Sequence, residues 1–268
     1  MNNIKGLFVI KILCIIAALV GIVYCYLYDD WLMLLYSYLY YRVLTLVANG
    51  IGLHRYFSHK SFKTTKSKHI FLCWVSVLIG EADPALSALV HRHHHKHSDL
   101  QDDIHSPMDG FWHTIFLWTT KPKMWFLKRK VKWQTVADVM HDPYARFISN
   151  NYIKIWAGLL FVSWSINWQF AIFFVMMPVV WEIVMNSFFS RWFVHVKTPL
   201  SYRNYSTGDK SYNNPILLAL NTAEVYHNNH HKYPGKYNQA MFINEFDPAG
   251  YIIKKFFEES TESKQYKW

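Results

Sequence analysis

Residues 31–59 read WLMLLYSYLYYRVLTLVANGIGLHRYFSH. From Trp31 to Leu53 this is an apolar run of 23 residues interrupted by Arg42. A helix of about 20 apolar residues spans a bilayer core. The run then ends directly in His54 and His59. A membrane-length helix that delivers histidines at its end is the reading from which the rest of the fold follows.

Upstream lies a second such run, Leu7 to Tyr28, interrupted only by Lys11 and separated from the first by Asp29-Asp30. Two runs joined by two residues read as a tight transmembrane hairpin. A signal peptide fits poorly, because the apolar stretch is too long, has no small-residue cleavage site and is followed at once by another span. Downstream, Glu182 is the one charge between Ile155 and Ser190. That length suits two spans broken at Asn167-Trp168, and the four expected spans are about 7–28, 31–53, 152–166 and 169–190. Ile70 to Gly80 is apolar for only eleven residues, too short to cross, so it is expected in the interface or packed on the domain. A fifth span there is the alternative topology.

Charge placement separates these topologies. Of 28 basic residues, Lys5 and Lys11 lie at the start, Arg42 lies in the second run, fifteen fall from Arg55 to Lys154, and ten follow from Arg191 onward. The two hairpin tips carry none. The positive-inside rule then puts both termini and the long middle segment on the cytoplasmic side, a parity that four spans satisfy. The net charge of +10 is therefore largely topological, and no nucleic-acid motif accompanies it. With 52% hydrophobic and 17% charged residues the chain is not disordered. Its three cysteines, all in apolar stretches, make no disulfide framework. The expected fold is all-α: a single domain over 1–268, an integral membrane protein of four transmembrane helices. A cytoplasmic helical cap (54–151 and 191–250) holds a di-metal site, and a polar tail (251–268) follows.

The chain has 15 histidines, none before residue 54. Three clusters stand out: His54 with His59, His91-Arg-His93-His94-His95, and His227-Asn-Asn-His230-His231. In the last two, the i, i+3, i+4 spacing puts three imidazoles on one helical face. Neutral imidazole is a good ligand for iron, zinc and copper. The i, i+5 pair His54/His59 sits about 140° apart on a straight α-helix and needs a bend or a helix end to converge. Eight or more histidines exceed the four ligands of a structural zinc and suit two metals.

HRYFSHKSF, HRHHHKHSD and EVYHNNHHKYP resemble the three histidine boxes of the membrane fatty acid desaturases. The stretch Asp103-Ile-His105-Ser-Pro-Met-Asp-Gly-Phe-Trp-His113 is similar to the segment after the second box in the acyl-CoA delta-9 branch. Arg203-Asn-Tyr205 and Asn213-Asn214 are similar to bacterial members of that branch. The resemblance covers about residues 31 to 240. It implies four transmembrane helices under a cytoplasmic cap, a non-haem di-iron centre using dioxygen, and a further histidine before the third box, here His195. Carried over by position, the ligands are His54, His59, His91, His94, His95, His195, His227, His230 and His231. Glu224, Asp103, His105 and Arg191 are expected beside them. His93 and His97 point away from the 91/94/95 face, and His69 and His141, outside any motif, are expected at the surface. Two departures stand out. The asparagine that the family places four residues before its lone histidine is Arg191 here, and a cation does not ligate a metal. The glycines around the Glu before the third box are replaced in Ala223-Glu224-Val225.

The resemblance further implies insertion of a cis double bond into a saturated acyl chain, carried as a CoA thioester and at the delta-9 position. Removing hydrogens from two unactivated methylenes is beyond acid or base side chains and beyond redox-inert zinc. A redox metal pair does that chemistry while the protein ligates, positions and excludes water. An external electron donor of cytochrome b5, ferredoxin or flavin-reductase type is then required. A lipid hydroxylase, an acyl-lipid desaturase and a non-catalytic metal-binding derivative of the scaffold are the alternatives that box spacing leaves open. Finally, Arg42 and Glu182 lie at similar depths in spans two and four, and charges in spans are usually paired, so a buried ion pair between them is expected.

Overall fold

The computed structural model describes residues 2–104, 106–115, 117–119, 133–220 and 224–259. Among them every regular element is helical, and only the isolated bridges Tyr202–Asn213 and Asn213–Tyr226 pair extended backbone. Helix α1 is Asn2–Tyr28. Helix α2 begins as Leu32–Leu44 and continues without a break through Thr45–Ser58, where its winding widens. Then come α3, Lys66–Leu78, α4, Pro84–His97, α5, Pro143–Ile166, and α6, Trp168–Phe193. Short helices α7, His227–Lys232, and α8, Pro248–Ile252, follow.

Local chemistry sets these boundaries. Asp29 takes a left-handed conformation, φ 52°, and reverses the chain between α1 and α2. Asp83 caps α4 by accepting from Ala85 N and Leu86 N, both at 3.0 Å, with Pro84 in the first turn. Asp142 caps α5 in the same way, ahead of Pro143. This cap starts α5 nine residues before the expected span at 152. Asn167 accepts from Phe170 N at 2.9 Å and starts α6, at the expected break.

The helices α1, α2, α5 and α6 pack on one another, with α3 and α4 against the wide end of α2 and against α5. Gly80 turns the chain from α3 to α4 at φ 67°, and a Cβ there would sit 2.7 Å from a Val179 methyl. Only glycine lets this turn lie against α6. By length and apolar composition two helices are able to cross a bilayer, Ile4–Tyr28 and Trp168–Phe193. The four-span expectation is thus met for two helices by that measure. Helix α2 falls short because it carries Arg42, His54 and Arg55, and α5 because it carries Arg146, Lys154 and a polar first half. Helix α3 is a 13-residue element that buries Leu72, Cys73 and Val77 and half-exposes Phe71 and Trp74. It packs on the domain rather than crossing.

Two expectations fail. Arg42 and Glu182 do not pair. Arg42 donates to Tyr38 and to the carbonyls of Leu218 and Ala219. Glu182 accepts from Thr45 Oγ1 at 2.8 Å and from Asn49 and Asn186 at 2.6 Å each. Glu182 is therefore level with Thr45 and Asn49, up to two turns beyond Arg42, which reaches the cap carbonyls instead. His69 is not at the surface. It is fully buried, between the Tyr56 hydroxyl at 2.9 Å and Asp142 at 3.0 Å, and joins α2, α3 and the start of α5. Its motif-free position gave no sign of that burial. His141 is exposed, as expected.

Candidate metal centre

The first box converges because α2 changes its winding. His59 N bonds to His54 O at 3.1 Å, an i→i+5 bond of the wide, π-type helix. At roughly 4.4 residues per turn in such a helix, five residues bring the two rings to within about 50° of one another, against about 140° in an α-helix. The ring centroids are 5.0 Å apart. This is the bend the spacing demanded.

Both box arginines hold backbone rather than metal. Arg55 forms a bidentate pair with Asp247 at 2.8 and 3.0 Å and donates to Tyr237 O. Arg92 forms one with Asp138, 2.8 Å on each side, and donates to the carbonyls of Phe57 and Ser58. Planar guanidinium suits this forked geometry. In the third box Asn228 accepts from Asn204 N and Tyr205 N at 2.9 Å each. Asn229 accepts from Asn204 and Asn213 side chains and donates to Gln239 O and Glu245. The flanking segments 203–205 and 213–214 are thus the cradle of α7.

The nine histidines fall into two adjoining clusters, His54, His59, His91, His95 and His230, and His94, His195, His227 and His231. In each, one ligand atom per residue lies within 4.8 Å of all the others. His95 and His231 join the two clusters, with ring centroids 4.3 Å apart. His93 and His97 stack on each other at 4.4 Å outside both clusters, and His93 bonds to Asp102 O. His113 is buried and bonds to Ile104 O. His105 lies outside the described residues.

In the five-histidine cluster the Nε2 atoms form a chain: His59 to His91 2.7 Å, His91 to His95 3.0 Å, His95 to His230 2.9 Å and His230 to His54 2.9 Å. A ring nitrogen carries one proton or one lone pair and so makes one hydrogen bond. His91, His95 and His230 each have two such neighbours. Hydrogen bonding cannot satisfy that set, whereas a shared cation can. At a metal–nitrogen distance of about 2.1 Å, ligands at right angles sit about 3.0 Å apart and tetrahedral ones about 3.4 Å apart. The observed spacings match right angles, and five donors exceed tetrahedral zinc. The residues therefore fit a transition metal of higher coordination number. In the second cluster His195 and His227 bring Nε2 atoms to 2.9 Å, and His231 Nε2 is buried with no hydrogen-bond partner among the described residues.

The outer nitrogens are held by carboxylates. His94 Nδ1 bonds to Asp103 at 2.9 Å, His195 Nδ1 to Asp99 at 3.1 Å, His231 Nδ1 to Asp209 at 2.7 Å and His227 Nδ1 to Glu224 at 3.1 Å. Glu224 also pairs with His54 Nδ1 and so ties the two clusters together. Such contacts fix ring orientation and tautomer and turn Nε2 inward. Asp103 and Glu224, which the sequence singles out beside the boxes, each contact a candidate ligand ring. Asp99 and Asp209 escaped the reading, although Asp99 lies only four residues past the second box.

Burial, followed by repulsion from neighbouring imidazoles, holds His59, His91, His95 and His230 well below the usual histidine range. Burial and His231 do the same to His227. Burial lowers His231 to about 4 against the opposing pull of Asp209. Burial also works to lower His94, but the charge and hydrogen bond of Asp103 outweigh it and raise that ring. Burial would raise Glu224, but His54 and His227 hold it well below the carboxylate range. At neutral pH most of these rings therefore present uncharged lone pairs.

Arg191 is not in either cluster. Its guanidinium donates to Glu81 at 3.0 Å and weakly to Ser187, and Glu81 accepts from Lys11 Nζ at 3.1 Å. Burial pushes Glu81 up, but these two cations bring it down to about 2. One cavity is lined by His91, His94, His195 and His227 together with Glu81 and Arg191.

Against known proteins, the fatty acid desaturase family profile matches residues 29–241. The acyl-CoA C20 Delta5-desaturase of Anemone leveillei is 27% identical over 224 residues, covering 80% of this chain and 67% of that one. The Delta-9 acyl-lipid desaturase 2 of Arabidopsis thaliana is 26% identical over 245 residues, covering 86% and 73%. The sn-1 stearoyl-lipid 9-desaturase of Anabaena variabilis is 31% identical over 187 residues, covering 68% and 65%.

Proposed function

The chain belongs to the fatty acid desaturase family, and we propose that it inserts a cis double bond at the delta-9 position of a saturated acyl-CoA, with two iron ions and dioxygen. The observation that carries this reading is the set of nine imidazoles divided five and four, with no other donor type in either cluster among the described residues. Relatives named for acyl-CoA and for 9-desaturation support the substrate and the position.

The ligands are His54, His59, His91, His95 and His230 for one iron, and His94, His195, His227 and His231 for the other. Bound iron supplies the oxidising power that side chains lack. The chain's own residues do the rest. Asp99, Asp103, Asp209 and Glu224 keep Nδ1 protonated and Nε2 inward on His54, His94, His195, His227 and His231. Arg55 and Arg92 fix the backbone of the first box against Asp247 and Asp138. The buried walls around the clusters keep bulk water from the reacting methylenes. The alternative hydroxylation outcome draws on the same parts.

The topology that goes with this function has four spans, α1, α2, α5 and α6, with both termini and the histidine cap cytoplasmic. Outward apolar side chains on the two helices that carry more charge support it, among them Leu35, Leu39 and Val43 on α2 and Phe161, Val162 and Ile166 on α5. The basic residues of the cap suit an acidic electron donor and the CoA head.

The test is expression in a host with a defined saturated lipid pool, followed by double-bond localisation and by assay of acyl-CoA and glycerolipid substrates in membranes. A delta-9 cis product from acyl-CoA is expected, and His94→Ala and His230→Ala should each abolish it. Product from the glycerolipid alone would move the carrier to lipid, a hydroxylated product would change the reaction, and product surviving both substitutions would refute the ligand set.

A further inference from the structure

The histidine clusters and the Arg191–Glu81 part of the same cavity lining differ in charge. Every donor in the clusters is an imidazole, and the four carboxylates near them contact the outer nitrogens instead. Among the described residues no anion thus stands directly among the donors. Arg191 lines the same cavity as His94, His195 and His227. It shares Glu81 with Lys11, so this chain of two cations and one carboxylate carries a net single positive charge. Lys11 and Glu81 are buried, with side chains 5% and 9% exposed, and Arg191 is mostly covered at 16%. A guanidinium offers five N–H groups. Arg191 directs one to Glu81 at 3.0 Å and one to Ser187 at a long 3.4 Å, which leaves donors for a guest. The Trp118 ring beneath the guanidinium, 5.9 Å from its centroid, holds it in place.

We propose that this cavity is a binding site for a small monovalent anion, held between the Arg191 guanidinium and the metal of the four-histidine cluster, with Glu81 setting how much of the Arg191 charge the anion meets. The inference rests on the di-iron reading above. Four donors leave that metal one more open position than five leave its neighbour, and charge-assisted hydrogen bonds from guanidinium are the strong kind. The site takes hydroxide, fluoride or azide by size and charge. Arg191 is here a residue that binds the anion, not a metal ligand, which explains how a cation stands at this position beside His195.

Azide is the probe, titrated into the full-length, iron-loaded, air-oxidised protein in detergent micelles and followed by charge-transfer absorption. Wild-type protein is expected to hold two irons and to bind one azide per chain. Arg191→Gln should keep both irons but bind azide at least tenfold more weakly, and Arg191→Lys should stay within a few-fold of wild type. Glu81→Gln, which leaves two cations without their carboxylate, should tighten azide binding. That opposite sign is one that simple loss of structure does not produce. Azide affinity in Arg191→Gln within twofold of wild type, loss of iron from that variant, or weaker binding in Glu81→Gln would each overturn the anion site. Wild-type protein that fails to hold two irons would overturn the di-iron reading itself, a separate result.

Discussion

The five-histidine and four-histidine clusters are built on different principles. The first draws on rigid helices: His54 and His59 on one wide turn of α2, His91 and His95 one turn apart on α4, and His230 on α7. Among the described residues, the one carboxylate on its outer nitrogens is Glu224, at His54. Its order comes from bidentate arginine pairs that brace the backbone. In the second cluster all four rings are held by carboxylates, and His195 and Asp99 come from chain just beyond helix ends. One site is positioned by scaffold, the other by hydrogen bonds to its ligands. The difference teaches that two adjoining histidine clusters need not share their means of support, and that they should fail separately.

The largest effects come from the carboxylates and ligands of the two clusters. Removing Asp103 or Asp209 by substitution with Asn should cost about 10- to 100-fold in metal affinity at the four-histidine site, the usual effect of losing such a partner. The five-histidine site should keep its metal. Iron measured after dialysis against a chelator should therefore fall from two per chain toward one in Asp209→Asn. Parallel loss from both sites, or no loss, would break the comparison. Glu224→Gln, which touches both clusters, should lower both.

The legibility of the two sites differs for the same reason. The scaffold-built cluster was readable because helical spacing is periodic: the HxxHH patterns put their rings on one face by arithmetic. Even there the His54/His59 pair required a wide helix that α-helical geometry does not supply and that a single sequence does not announce. Three rings of the second cluster, His94, His227 and His231, come from the same two HxxHH patterns, but its fourth ring and its carboxylates carry no such period. His195 has no spacing partner and was found through family resemblance alone. Asp99 and Asp209 reach their rings through loop conformations with no repeat, Asp99 with a left-handed φ of 61°. Buried charge was the least legible layer. Arg42 and Glu182 share a depth by residue counting, yet the widened turns of α2 and α6 and the cap carbonyls gave each other partners. The Lys11–Glu81–Arg191 chain joins three segments far apart in sequence, and nothing local marks it.

A smaller effect tests the claim that arginine pairs support the first cluster. Arg55 and Asp247 are both almost fully buried, with side chains 2% and 3% exposed. Arg55→Met leaves the Asp247 carboxylate buried without its partner, and breaking such a pair costs about 3–5 kcal/mol. The variant should unfold at clearly lower denaturant concentration. Whatever folds should lose iron from the five-histidine site first, the reverse of the Asp209→Asn pattern. Arg55→Met together with Asp247→Leu should recover most of the stability, because two apolar groups replace the pair.

The smallest effect concerns the more exposed brace. Asp138 pairs with Arg92 and Lys60. Partial burial raises its carboxyl, but those two cations win and bring it to about 2, below the ordinary value near 3.9. A depressed folded-state pKa gives stability that is present above the unfolded value and lost as pH falls through the folded one. The contribution is therefore constant from pH 7 to 5 and fades between about 4 and 2. Solvent screening of this partly exposed pair limits it to roughly 1 kcal/mol. In thermal melts of the metal-free protein, Asp138→Asn should melt below wild type by a fixed margin down to pH 5, and the two curves should approach each other below pH 4. A margin that widened in acid would show that Asp138 is protonated in the folded state. Arg92 would then hold the first box through its bonds to Phe57 and Ser58 alone.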